Sequence, residues 1–186
     1  MLSPGRVYTT SAIILKRANA GETDRVVTVF SKEHGRMKVM AKGIRRIGSR
    51  RAAHLEVFSH VLLVLHKGKT WDLVTEATPI RTHAYLREHL TRVSHAYYLC
   101  ELVDALLPER QEQMAVYQLL ADALRTLNDE HITDLTGNGE QFALALLRQL
   151  GYLAPDRDLS SGQIDPYIET IIEKRIRTPR LLMKLF

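Results

Sequence analysis

Near residue 80 the apolar residues of this chain change their spacing, and one uniform architecture cannot serve both halves. Upstream lie short runs rich in β-branched and aromatic residues, separated by glycine turns. Val7–Lys16 is followed by a turn at Ala18–Glu22, and Arg25–Ser31 by Glu33-His-Gly35. Arg36–Ala41 then places Met37, Val39 and Ala41 on one face, with Lys38, Met40 and Lys42 on the other. Val57–His66 is a long apolar run, Lys67-Gly-Lys69 is a further turn, and Thr70–Thr78 completes the set before Pro79. Evenly spaced short strands of this kind predict a barrel or sandwich. Five of them in about eighty residues, with the longest connection between the third and fourth, predict the five-stranded OB barrel.

From Thr82 the period is helical. Leu86, Leu90, Val93, Tyr97, Cys100, Val103 and Leu107 step by fours and threes, predicting one long helix stopped by Pro108. Tyr117, Leu120, Leu124 and Leu127 predict a second, and Phe142, Leu146, Leu147 and Leu150 a third, capped by Gly151. Ile168, Ile171, Ile172 and Ile176 predict a fourth after the polar stretch Asp156–Gly162; Thr178-Pro179 interrupts it before Leu181-Leu-Met183. The chain is therefore expected to be α+β, with an OB-fold barrel over residues 1–80 and an α-helical domain over 81–186. Charge divides at the same place. Residues 1–80 carry 14 Lys and Arg against 6 Asp and Glu, whereas residues 81–160 carry 7 against 12. The basic module is the one expected to meet a polyanion.

That charge is concentrated in Lys42-Gly-Ile-Arg-Arg-Ile-Gly-Ser-Arg-Arg51, between the third and fourth strands. Lys42, Arg45, Arg46, Arg50 and Arg51 are cationic, and no carboxylate falls between Glu33 and Glu56. Gly43, Gly48 and Ser49 predict a pliable arm rather than a helix face. Lys and Arg neutralise nucleic-acid phosphates and displace their counterions, and on an OB barrel the strand lies across a sheet face with loops closing over it. Arg36 and Lys38 extend the expected cationic track, with Lys16 and Arg17 as possible additions. Of the aromatic residues, Phe30 and Phe58 are expected in the core, Tyr8 is unassigned, and Trp71 is the candidate for stacking on a base. With so few aromatics, charge should dominate. The bland alternative for the arm is a solvated loop. Charge does not separate DNA from RNA, so an RNA-binding OB module and a scaffold for an acidic protein are the competing readings.

Several classes are disfavoured. Cys100 is the only cysteine, which forbids an internal disulfide or a thiolate zinc cluster and favours a cytoplasmic setting. No apolar run approaches the roughly 18 residues of a membrane span, and no signal-peptide pattern opens the chain. Asp24-Arg25 has no second acid, nucleophile or metal ligand beside it, so a local ion pair or a turn-stabilising role is expected. His54, His60 and His66 share a strand face only if the strand runs unbroken from residue 54. Cys100 is expected to be a buried small hydrophobe. There is no glycine-rich phosphate loop, nucleophile elbow or paired-carboxylate signature, so no enzyme is expected.

Certain ordered segments resemble the RecO family of recombination mediators. They are Ala12-Ile-Ile-Leu-Lys-Arg17, Gly21-Glu-Thr-Asp-Arg-Val-Val-Thr-Val-Phe30, Glu33-His-Gly-Arg36 and Ala41-Lys-Gly-Ile-Arg-Arg46, with Ser49-Arg50. Tyr97-Tyr-Leu-Cys-Glu-Leu-Val103, Leu146-Leu-Arg-Gln-Leu-Gly-Tyr-Leu-Ala-Pro155 and Ile176-Arg-Thr-Pro-Arg-Leu-Leu182 continue it almost to the end. The resemblance implies an N-terminal OB fold, a helical C-terminal domain and no catalytic chemistry. It also implies binding of single- and double-stranded DNA, annealing of complementary strands, and help in loading RecA recombinase onto DNA coated by single-strand binding protein. RecR and single-strand binding protein are the implied partners, the acidic, apolar tail of the latter docking on the helical domain; Arg125, Arg148 and Arg175 are loose candidates for holding it. Many relatives carry a cysteine-rich zinc module after the Leu-Gly-Tyr segment. Here that region is compressed to Asp156–Ile164 without cysteine, so zinc is not expected.

Overall fold

The computed structural model describes residues 6–45 and 53–178. The chain divides into two compact units, residues 1–82 with 108–114, and residues 83–107 with 115–186.

The first unit is a closed barrel of β1 (Val7–Ala20), β2 (Asp24–Ser31), β3 (Gly35–Ala41), β4 (His60–His66) and β5 (Asp72–Arg81), in the order β1-β2-β3-β5-β4. Alternation fills its interior with Ala12, Ile14, Val27, Val29, Met37, Val39, Ala41, Val61, Leu63, Leu65 and Val74, all at most 3% exposed. Ile44 and Leu55, flanking the long connection, join the same core. Neighbouring strands pair antiparallel except β3 and β5, which run parallel and match only Val39 with Asp72 and Met40 with Leu73. The first half of β3 thus has no β5 partner. Residues 108–114 occupy that edge: Glu109 bridges to Arg36 in parallel register, and the Arg110 N–H donates to the Arg36 carbonyl at 2.8 Å.

Gly35 is what lets this strap approach. Its φ is +67°, and a Cβ placed there would lie 1.9 Å from the Gln111 carbonyl oxygen. No other residue type fits both demands.

Several strand boundaries differ from expectation: β1 runs to Ala20, through residues expected to begin a turn at Ala18, and β5 starts at Asp72 rather than Thr70. The predicted fourth strand starts at Val57, but β4 begins at His60 because Phe58 adopts φ 72° and its N–H donates to the Ile14 carbonyl at 2.8 Å. The apolar residues Val57 and Phe58 are buried in that turn instead. The fifth strand was expected to end before Pro79, yet β5 continues to Arg81. Pro79 matches Val61 beside a register shift and beyond the two residues that pair β5 with β3, the kind of irregular edge position where proline is tolerated in a strand.

The second unit contains α1 (Ala84–Glu88), α2 (Leu90–Leu106), most of α3 (Met114–Leu127), α4 (Leu135–Gln149) and α5 (Ser161–Ile172). The single long helix expected from Leu86 is broken at His89, whose backbone is extended (φ −120°, ψ 108°). The expected stripe is buried at Leu86, Cys100, Val103 and Leu107 but not between Leu86 and Cys100. Leu90 and Tyr97, expected inside, are 58% and 47% exposed, while α2 buries Arg92, Ala96, Leu99, Cys100, Leu102, Val103 and Leu106. Cys100 is buried as expected, and burial raises its thiol pKa.

Arg92 is the unexpected member of that face, at 6% exposure. Nη1 donates to the carbonyls of Leu127 (2.8 Å) and Asp129 (2.9 Å), Nη2 to those of Ile132 (2.7 Å) and Glu130 (3.4 Å). The guanidinium also lies 4.9 Å from the centre of the Tyr85 ring. It thereby serves the carbonyls left open where α3 ends. Glu101 performs a similar task on another turn of α2. Its carboxylate accepts from the N–H groups of Arg177 (2.9 Å) and Thr178 (2.8 Å) and from the Thr178 hydroxyl (2.6 Å). Asp134 caps α4 by accepting from the Gly137 N–H at 2.8 Å, and Gly151, at φ +77°, closes its far end as expected. The expected apolar run Leu181-Leu-Met183 lies outside the described residues.

Candidate nucleic-acid interface

The cations singled out in the sequence fall at two ends of β3. Since Met37, Val39 and Ala41 point into the barrel, Arg36, Lys38, Met40 and Lys42 point outward, roughly 6.6 Å apart per pair of residues. Lys38, Lys42 and Arg45 are exposed and Arg36 is partly buried.

At the far end of β3 the arm begins on a fixed root. Gly43, at φ +64°, donates its N–H to Asp24 Oδ1 at 2.7 Å, and the Arg45 N–H donates to the Thr23 carbonyl at 3.0 Å. Arg45 Nη1 reaches the Gly21 carbonyl at 3.1 Å. Ile44, buried between them, pins the segment to the core. Of the two roles expected of it, Asp24 has the turn-stabilising one, joining the β1–β2 turn to the start of the arm. Lys42 and Arg45 are carried at this root. Arg46, Arg50 and Arg51 lie outside the described residues.

At the near end the strap changes the electrostatics. Glu109 Oε1 sits 3.7 Å from Arg36 Nη1 and 3.6 Å from Lys38 Nζ. Beside it, Asp72 is 4% exposed and accepts from the Tyr8 hydroxyl (2.5 Å), the Gly68 N–H (3.2 Å) and Arg110 Nη2 (3.3 Å). Burial opposes ionisation of Asp72, but these three donors outweigh it and hold its pKa below the usual carboxylate value. Burial, then the Asp72 carboxylate, raise the pKa of Tyr8, whose ring stands edge-on to His34 at 4.8 Å. Tyr8 is thus committed to an internal latch.

Trp71 lies in the β4–β5 loop, 36% exposed, next to Asp72. The register of β5 on β3 puts this loop toward the Arg36–Lys38 end of β3, away from the arm root. The outward side of β2 is less open than a nucleic-acid platform requires, since Thr28 and Phe30, opposite Lys38 and Arg36, are 7% and 0% exposed. Phe30 and Phe58 are buried as expected. On the β2–β3 side, what is available is a cationic margin along β3.

Other sequence candidates resolve individually. Arg17 pairs with Glu56, which turns its charge toward the barrel's own loop. His60 donates to or accepts from Ser11 Oγ at 2.8 Å, and burial together with Arg81 lowers its pKa. His54 precedes β4, so the three histidines share no strand face. Among the described residues, no three His, Cys, Asp or Glu side chains gather at a metal-binding spacing. Also among them, no helix is long and apolar enough to cross a membrane. In the helical unit Arg125 pairs with Asp122 at 3.0 Å, Arg148 with Asp158, and Arg175 is exposed. Glu109 and Arg110 were not anticipated. Their only sequence signal is the pair of opposite charges just after the helix-stopping Pro108.

The comparisons with known proteins cover both units. The family model described as Recombination protein O N terminal matches residues 6–83, and that for Recombination protein O C terminal matches residues 87–160. A DNA repair protein RecO from Roseiflexus sp. (strain RS-1) is 42% identical over 79% of this chain and 51% of its own length. Those of Pelotomaculum thermopropionicum and Symbiobacterium thermophilum are 37% and 38% identical, over 66% and 78% of this chain and 48% and 57% of theirs. The chain spans about half the length of the curated relatives it matches. With Gly-Glu-Thr-Asp joined to Lys-Gly-Ile-Arg at the arm root, and matches spanning barrel and helices alike, the chain belongs to the recombination protein O (RecO) family.

Proposed function

We propose that this chain is a non-enzymatic DNA-binding mediator of recombinational repair. The observation that carries the reading is the basic barrel, with outward cations on β3 and an arm rooted at its end, in a chain whose relatives are named DNA repair proteins. Cations at this margin hold single- and double-stranded DNA by its phosphates, without reading sequence. Two strands held with their charge screened repel each other less, which favours annealing of complements. The helical unit couples this to RecR and to single-strand binding protein, so that RecA recombinase is loaded onto coated DNA in the cytoplasm.

An annealing assay tests this. Complementary oligonucleotides, bare or coated with single-strand binding protein, should pair faster with the protein than without it. Unchanged rates on both substrates would contradict annealing. Tighter binding of a matched RNA than of its DNA counterpart would shift the reading to an RNA-binding barrel.

A further inference from the structure

The strap over β3 lays an acidic side chain on a basic strand, with its carboxylate between two of the strand's cations. Glu109 Oε1 bridges two cations, Arg36 and Lys38, at 3.7 and 3.6 Å. Both distances exceed hydrogen-bond length. Glu109 and Lys38 are about half exposed, at 53% and 46%. The Lys38 pair is therefore of the weak, readily exchanged kind, whereas Arg36, 16% exposed, is the more sheltered partner.

The strap's attachment, by contrast, does not depend on that carboxylate. The Arg110 N–H holds the Arg36 carbonyl at 2.8 Å, Arg110 Nη2 reaches Asp72 at 3.3 Å, and Gly35 admits the Gln111 backbone. The carboxylate is free to swing away while the strap stays in place.

We infer that Glu109 is a built-in competitor for nucleic-acid phosphate: it occupies Arg36 and Lys38 in the free protein and yields them when a strand arrives. This rests on the DNA-binding reading above and adds a cost to it, confining tight binding to strands that bring phosphate to both ends of β3. Lys42 and Arg45, at the other end, would engage first.

The test is binding of a labelled single-stranded oligonucleotide by the full chain across a salt series, comparing the unaltered protein with Glu109→Gln, Lys38→Ala and the double variant. An exposed pair is worth up to about fivefold in an equilibrium constant. Withdrawing the carboxylate from the exposed Lys38 and from the more sheltered Arg36 predicts that Glu109→Gln binds roughly three- to tenfold tighter at low salt. Its salt slope should steepen by up to about 1.4, at roughly 0.7 per phosphate contact. Lys38→Ala should change little in the unaltered background and remove most of the gain in the Glu109→Gln background. Trp71 emission checks that the barrel is intact in each. Equal or weaker binding by Glu109→Gln, with an unchanged slope, would overturn the competitor role and leave DNA binding standing. No binding by the unaltered protein would overturn both.

Discussion

Replacing Arg92 with alanine is expected to lower the stability of the helical unit by roughly 3–5 kcal/mol. The guanidinium serves four carbonyls between Leu127 and Ile132, and the Leu127 bond is fully buried. Each buried acceptor left without a donor costs about 1–3 kcal/mol, and water entering the vacated space recovers only part of that. Arg92→Lys is not a conservative change here. An ammonium cannot reproduce a planar fork spanning four acceptors, so it should recover less than half of the loss. Urea denaturation followed by helical circular dichroism measures both. An Arg92→Ala midpoint indistinguishable from the parent would show that the α3–α4 turn is held by something else.

The second large effect concerns the arm. Changing Arg45, Arg46, Arg50 and Arg51 together to alanine is expected to weaken DNA binding and flatten its dependence on salt. If each contributes one single-strand phosphate contact, the slope of log affinity against log salt falls by about 2.8. A rise from about 50 to about 200 mM salt would then cost the unaltered protein about 50-fold more affinity than it costs the variant. The fold should survive, because Ile44 and the Asp24–Gly43 bond, which anchor the root, are untouched. Unchanged affinity and slope would remove the arm from the mechanism.

The barrel was legible in number of strands and, in β3, in alternation: Met37, Val39 and Ala41 were read as one face and lie together in the core. Legibility ended where burial and secondary structure part company. Val57 and Phe58 are apolar and buried, but in a turn, and hydrophobicity does not distinguish the two. The expected stripe on α2 held only in part. Leu86, Cys100, Val103 and Leu107 are buried, but around the break at His89 Leu90 and Tyr97 face outward, and a sequence offers two overlapping stripes from which to choose. Arg92 was invisible because a lone arginine on a helix ordinarily faces solvent, and its partners are backbone carbonyls with no sequence signature.

The candidate interface was legible in charge and not in pairing. Lys42 and Arg45 stand at the arm root as exposed cations. Arg36 and Lys38 were read as part of the same track, yet they share a carboxylate more than seventy residues away in the chain. No local pattern announces such a contact. It follows from the short β3–β5 pairing, which leaves an edge for Pro108–Met114 to fill.

The most direct measurement is the affinity of the unaltered full chain for a labelled single-stranded DNA, followed by fluorescence anisotropy as salt is raised. A basic barrel that works by phosphate contact should bind at low salt, with log affinity falling linearly against log salt at roughly 0.7 per contact. No binding at low salt, or an affinity indifferent to salt, would contradict a DNA-binding role for the barrel.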